Sequence, residues 1–568
     1  EASDGDEIWV AEGVYYPDES DGSNSDRNDE HFLIRKNVKV YGGFEGNEAE
    51  ISDREQTDKD GDGIAQPWEF EHVSILSGDI TQDDNNEDMN NIVEDVNDIS
   101  NDNSQHVLKV NIAVEVVLDG LVITGAGATS LRSPYAGIEI VGTSTQIDSC
   151  IIIGNKGYQG GGIRISGGTD TDMVRITGSL ITNNYASHDG AGIYNQYGGA
   201  TYLENVKISL NKANGSGGGI WTSGSNTSLK NSLISSNMSG ASHKEYGAGI
   251  LNSGTLKLDN CTIVSNKGLG GSAIHNTSTV DISSSIIWGN SSPSYGYSDR
   301  ATTVSVQYSN IEGGVSTIYT VTDLGDNIDS DPLFVHNLDI AYVPSTEGDF
   351  RLLEGSPSIN TGDPDAIDEG WDLAKEDRIQ EGRIDMGAYE GGVDPSTLPP
   401  PKEYKVDASA SPGGDGLTWG TAFQFLRDAL VISTRGDIIQ VASGIYYPDD
   451  GGVDNNKMSI FSIPSGVKIY GGYPTGGGIP NPWLNRTTLS GNIAQSEISS
   501  NRAYHVVKFN HASSETILDG FIIQDSWNNQ ESDPGGGLKI VGGSPKIFNC
   551  IIRNNSISGS HKCKNDGG

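Results

Sequence analysis

Apolar and polar positions alternate along short stretches of this chain, as in Leu203, Val206 and Ile208, in Leu229, Leu233 and Ile234, and in Leu256, Leu258, Cys261 and Ile263. A period near two belongs to strands and not to helices. Above it lies a longer frame, C/S/V-x-I-x-x-N, at Cys150-Ile152-Asn155, Ser179-Ile181-Asn184, Val206-Ile208-Asn211, Ser232-Ile234-Asn237, Cys261-Ile263-Asn266 and Ser285-Ile287-Asn290. Its asparagines are 29, 27, 26, 29 and 24 residues apart. Each of the first five frames is followed by a small-residue turn ending in isoleucine: Gly160 to Ile163, Gly190 to Ile193, Gly217 to Ile220, Gly247 to Ile250 and Gly271 to Ile274. A repeat of roughly 25 residues holding several short strands predicts an all-β solenoid, a parallel β-helix. Glycine supplies positive φ at tight corners, while asparagine tolerates the left-handed region and can pair its amide with the next coil. The asparagines are therefore read as a structural ladder, and Cys150, Cys261 and Cys550 as small buried thiols in the same frame.

A larger duplication overlies the coils. Gly5-Asp6-Glu7-Ile8-Trp9-Val10-Ala11-Glu12-Gly13-Val14-Tyr15-Tyr16-Pro17-Asp18 returns as Gly436-Asp437-Ile438-Ile439-Gln440-Val441-Ala442-Ser443-Gly444-Ile445-Tyr446-Tyr447-Pro448-Asp449. Leu76-Ser77-Gly78-Asp79-Ile80 returns as Leu489-Ser490-Gly491-Asn492-Ile493, and Leu118-Asp119-Gly120 as Leu518-Asp519-Gly520. This predicts two tandem solenoids, residues 1–394 and 402–568, joined by a proline-rich linker at 395–401. Phe423, Leu426 and Leu430 have helical spacing, which predicts a capping helix at about 419–431 over the open end of the second solenoid. Both solenoids read as truncated, the first lacking such a cap and the second its later coils, so the chain reads as an excerpt of a longer array.

Charge narrows the function. With 36 Lys and Arg against 77 Asp and Glu the net charge is −41, which excludes a nucleic-acid binder. No apolar run is long enough for a transmembrane helix, and four scattered cysteines form neither a disulfide framework nor a CxxC metal site.

The glycine-rich coils resemble the GGAI and FxxN repeats of chlamydial polymorphic outer-membrane proteins. The run Asn327-Ile328-Asp329-Ser330-Asp331-Pro332-Leu333-Phe334, with Gly348 to Leu352, Gly355 to Asp363 and Ile384-Asp385-Met386-Gly387-Ala388-Tyr389-Glu390, resembles the end of the bacterial choice-of-anchor Q family. The resemblance implies a right-handed, pectate-lyase-like parallel β-helix, secreted and held at a bacterial cell surface. It implies no established chemistry.

The sharpest local motif is Asp58 to Glu69, which fits D-x-D-x-D-G-x5-E at every position. In that frame Asp58, Asp60 and Asp62 offer single oxygens, Ile64 its carbonyl, Gln66 a direct or water-mediated contact and Glu69 a bidentate carboxylate, a set suited to Ca2+. Pro67 and the lack of flanking helices set it apart from an EF-hand. The acidic stretches Asp18 to Glu30 and Asp83 to Asp102 read as loops outside the coils. His188 and Asp189, with His243, Lys244 and Glu245, lie on turn insertions and are the expected partner contact. Arg164, Lys207 and Lys212 read as scattered, with no clustered acid and base. The resulting expectation is a non-catalytic surface protein, an adhesin or stalk stiffened by calcium, whose partners are a glycan or protein and further repeats of the same longer chain. Alternatives are a polysaccharide lyase or carbohydrate-binding solenoid, and a structural filament subunit.

Overall fold

A computed structural model describes residues 2–557 apart from 18–28, 87, 101–102, 112–114, 128–134, 170–171, 198, 241–245, 269–272, 292–294, 297–302, 319, 367–369, 381, 450–455, 497 and 530–534. The chain divides into two compact units, one of residues 1–333 with 351–392 and the other of 334–350 with 393–568.

In the first unit the alternation resolves into coils stacked strand on strand. Ile151–Ile153 pairs in parallel with Leu180–Thr182, that strand with Lys207–Ser209, and so on through Leu233–Ser235, Thr262–Val264 and Ile286–Trp288. Inward side chains such as Ile163, Ile193, Ile220, Ile250 and Ile274 form one continuous core. The register shift between Ser223 and Asn226 marks the corner where two faces of a coil meet within one long strand, Ile220–Lys230.

The asparagines pair as a ladder. Asn155 Nδ2 donates to Asn184 Oδ1 at 3.1 Å, and the chain of amides continues through Asn211, Asn237, Asn266 and Asn290 at 3.0 Å each. The left-handed backbone belongs instead to the residue before each rung, for instance Asn183 at φ 52° and Ser236 at φ 56°. That corner turns the rung amide inward, where it serves backbone carbonyls of its own and the neighbouring coil. The glycine turns leave room for this: a Cβ on Gly192 would lie 3.1 Å from Asn211 Nδ2. A second ladder runs through the Cys150 position, with Ser179, Ser232 and Ser285 hydroxyls accepting the N–H of Cys150, Val206 and Cys261. Burial pushes the Cys261 thiol up to about 12, so it is inert.

Residues 351–392 run back along the coils. Gly387 and Ala388 donate to Ser284 O and Thr262 Oγ1, and Asn231 Nδ2 reaches Trp371 O at 3.2 Å. Arg378 and Glu390 form a buried ion pair at 3.0 Å within this segment.

The second unit repeats the pattern with strands Glu403–Val406, Ile438–Ala442, Lys468–Tyr473, Ile517–Asp519 and Lys546–Phe548 in parallel. Its helix spans Leu426–Ile432, shorter than the expected 419–431. Residues 419–421 form a 3-10 turn, and Phe423 bridges to Val406 in strand conformation, which delays the helix. Leu426, Ala429 and Leu430 are its buried residues.

Candidate functional site

The acidic loop 58–69 is folded by its own side chains. Asp58 accepts the N–H groups of Gly61 and Gly63 at 2.8 and 2.9 Å, and Asp62 Oδ1 accepts that of Ile64 at 2.8 Å. Glu69 closes it, accepting from Lys59 and Asp60 at 3.3 Å and from Gln66 at 2.7 Å. Asp58, Asp60 and Glu69 each place an oxygen within 4.8 Å of the others; Asp62 is outside that set. Gln66 is 6 % exposed, and its Oε1 is buried without a hydrogen-bond partner. Burial, then the Asp60 charge, raises the Asp62 carboxyl; burial also raises Glu69. Pro67 packs on bare backbone, its Cβ 2.9 Å from where a Cβ on Gly178 would stand. The proline thus seats the loop against the coils.

A second constellation lies on the outer face of the large sheet. Strand register aligns Lys109, Glu139, Arg164, Tyr194, Trp221, Leu251 and His275, one per coil, each directly after an inward leucine or isoleucine. Glu139 is buried, with Lys109 Nζ at 2.5 Å, Arg164 NH1 at 3.1 Å and His106 Nε2 at 3.4 Å. Burial lowers His106 to about 4 despite that carboxylate. The Arg164 guanidinium is 6.0 Å from the Tyr194 ring centroid, and Tyr194 stacks on Trp221 with centroids 4.4 Å apart and planes at 10°. Tyr246 stacks on His275 at 4.3 Å. The turn glycines Gly160, Gly190 and Gly217 lie over the outward residue four positions on, so that a Cβ on Gly190 or Gly217 would be 2.8 Å from the Cβ of Tyr194 or Trp221.

Arg164, scattered from other charged groups along the sequence, is brought by the coils to Glu139, which Lys109 also meets. The members of this cluster are about one coil apart in sequence, so no short motif contains them. The available signal was the Gly-plus-four position in each repeat, which reads Arg164, Tyr194, Trp221, Leu251 and His275 down the stack.

His188 and Asp189 border the row. His188 Nδ1 lies 2.6 Å from Asp189 Oδ2, Asp189 Oδ1 accepts the Ser216 N–H at 2.7 Å, and the His188 ring is 5.2 Å from that of Tyr158. His188 is exposed, whereas Asp189 pins the next coil's turn. His243, Lys244 and Glu245 lie outside the described residues.

The family described as the right handed beta helix region matches residues 119–329. No curated protein matches the chain. Among solved structures, pectate lyase Pel9A is 14 % identical, with a TM-score of 0.38 over 68 % of this chain and 88 % of its own. A mutant of the PL6 family alginate lyase AlyGC is 12 % identical, with a TM-score of 0.26 over 97 % of this chain and 73 % of its own. Residues 119–329 contain both the asparagine ladder and most of the outward row, and the fold they build is a right-handed parallel β-helix.

Proposed function

We propose that this chain belongs to a secreted protein displayed on a bacterial cell surface, of the choice-of-anchor Q kind, and acts as an adhesin that binds a glycan along the outward row. The observation that carries the reading is the half-buried Trp221, held flat by the Tyr194 ring that is buried beneath it and beside the half-buried Arg164. Flat aromatic groups offer an apolar face to sugar rings and a polar edge to their hydroxyls, and a rigid array binds with little ordering cost. Glu139 already balances the nearby cations, and a net charge of −41 disfavours acidic polymers, so the ligand is a neutral glycan. A glycan array should give binding that falls at least about tenfold, 1.4 kcal/mol, in Trp221→Ala. Binding unchanged in Trp221→Ala and Arg164→Ala would sink the assignment.

Ca2+ at Asp58, Asp60, Asp62, Ile64, Gln66 and Glu69 stiffens the scaffold beneath. The convergence of Asp58, Asp60 and Glu69, and in the same loop the buried, unpartnered Gln66 Oε1, support that ligand set.

The alternative of a polysaccharide lyase draws on one observation, the Lys109, Glu139, Arg164 and His106 cluster, which holds a candidate base beside candidate carboxylate binders. Its test is the appearance of unsaturated product from an anionic polysaccharide, abolished by Lys109→Ala.

A further inference from the structure

Strands Val116–Asp119, Thr145–Asp148, Met173–Thr177 and Ala200–Glu204 of the first unit stack in parallel, and their register puts Val117, Gln146, Arg175 and Tyr202 in one outward row. Just before this row the middle coil carries only Ser144, between coils that carry Glu115 and Met173. The long neighbours then part over it. Gln146 leans toward one coil, its Nε2 donating to Glu115 Oε1 at 2.9 Å. Arg175 leans toward the other, its NH2 donating to Glu204 Oε2 at 2.9 Å and its guanidinium carbon 4.5 Å from the Tyr202 ring centroid. A cleft of about 360 Å³ opens between them, floored by Ser144 and lined by Glu115, Gln146, Asp172, Met173 and Arg175. That volume lies near the lower end of the range of small-molecule sites.

The lining sets the ligand. Among the described residues Arg175 makes no hydrogen bond besides the one through NH2, so NH1 and Nε are left to donate. Asp172 Oδ2 accepts the N–H and the hydroxyl of Thr169 at 2.7 and 2.8 Å, which leaves Oδ1 to accept, as Gln146 leaves Glu115 Oε2. Met173 adds a thioether chain that is 49 % exposed. Free donors and free acceptors thus share one small concave wall with an apolar patch. A carboxylate only accepts and would face the charges of Glu115 and Asp172; an ammonium only donates and would face that of Arg175. A hydroxyl does both, so adjacent hydroxyls can accept from the guanidinium while donating to the carboxylates.

We infer that this cleft binds a single ring of a neutral sugar, whose adjacent hydroxyls bridge Arg175 to Glu115 and Asp172 and whose C–H face rests on Met173. The cleft shares no residue with the row of Arg164 and Trp221 and stands whether or not that row takes a glycan.

The chain has five methionines, so methyl-labelled methionine gives five signals, one of them inside the cleft. The full chain is titrated with glucose, galactose, mannose and N-acetylglucosamine, and with glucuronate and glucosamine as charged controls. At least one neutral sugar should shift the Met173 signal saturably, with a Kd of roughly millimolar order, and leave the other four in place. Arg175→Gln, at a side chain 42 % exposed, and Ser144→Phe, which fills the floor, should each weaken this binding at least about tenfold, and the other four signals report that each variant is folded. Trp221→Ala should titrate at Met173 as wild type does. No shift of Met173 by any neutral sugar at about 50 mM overturns the site, as does tighter binding of glucuronate or glucosamine, or an unchanged titration in a folded Arg175→Gln protein. Loss of the Met173 response in Trp221→Ala would put the sugar on the outward row and overturn the separate cleft.

Discussion

The two units use one scaffold and different electrostatics. Both carry the Gly-Gly bend at Gly42 and Gly471, the parallel stack above it, and the turn at Gly78 and Gly491. Between strand Lys39–Phe44 and strand Ser74–Ser77 the first unit inserts the acidic loop, whereas the second crosses the equivalent gap, Lys468–Tyr473 to Thr487–Ser490, in 13 residues rich in glycine and proline. The acidic loop 58–69 therefore lies on an excursion that the coils do not need. Backbone stacking and ladder amides hold the coils, and the excursions adjust charge and attachment.

Breaking the ladder should have the largest effect, and it should differ between the units. Asn211 is fully buried, donates to Ile181 O, Ser209 O and Asn237 Oδ1, and accepts from Asn184 N and Nδ2. Asn211→Ala strands several buried partners at once and should cost about 3–5 kcal/mol in urea unfolding. Asn555 is half-buried, donating to Ile523 O and accepting the Ser526 N–H, so Asn555→Ala should cost about 1 kcal/mol. Equal losses would show that the rung's place in the stack is irrelevant.

Removing Ca2+ should separate the units next. An ion at the loop 58–69 that binds only the folded chain stabilises it by about 2.7 kcal/mol at a hundredfold excess over Kd. Chelation should lower the melting temperature of wild type much more than that of Asp60→Ala, Glu69→Ala. Hydrogen exchange should place the change in the first unit. The same chelator response in both proteins removes this loop as an ion site.

Much of this was legible beforehand because it is periodic. Alternation, the Asn frame and the 78/491 echo each repeat, and repetition turns weak local signals into an architecture. What stayed hidden depends on packing between coils. Glu139 and Arg164 are 25 residues apart yet share an ion pair, and Asp84 meets Asn103 only because the excursion between them folds back, with Val93 donating to Thr124 Oγ1. The helix was found but begun too early, since Phe423 has helical spacing and yet is taken by a strand bridge.

A smaller effect comes with acid. His106 has its pKa lowered to about 4, chiefly by burial, with Lys109 and His31 acting in the same direction and Glu139 opposing. The folded state therefore favours neutral imidazole. Its contribution is complete above the unfolded value of about 6.5 and is lost as pH falls through about 4. Asp372, raised to about 6 by burial, works with the opposite sign, so the whole-protein curve mixes the two. The stability difference between wild type and His106→Gln isolates the histidine and should shrink by up to about 2 kcal/mol from pH 6.5 to 5. A constant difference would mean that the ring is protonated in the folded chain.

The smallest expected effect tests the comparison at its centre. Arg502 and Asp525 are 3.8 Å apart with side chains 21 % and 18 % exposed, so the pair is loosely made and partly screened. Arg502→Met keeps the aliphatic stem and removes the charge, which should cost about 1 kcal/mol or less. The loss should appear in hydrogen exchange of Thr487–Ser490 and Phe521–Gln524, the strands flanking that turn. It should be the same with and without Ca2+, because this turn offers Asn492 and Ser496 where the first unit offers Asp79 and Asp83. If it changed exchange in neither state, Arg502 would have no electrostatic role, and the parallel between the two turns would reduce to backbone shape.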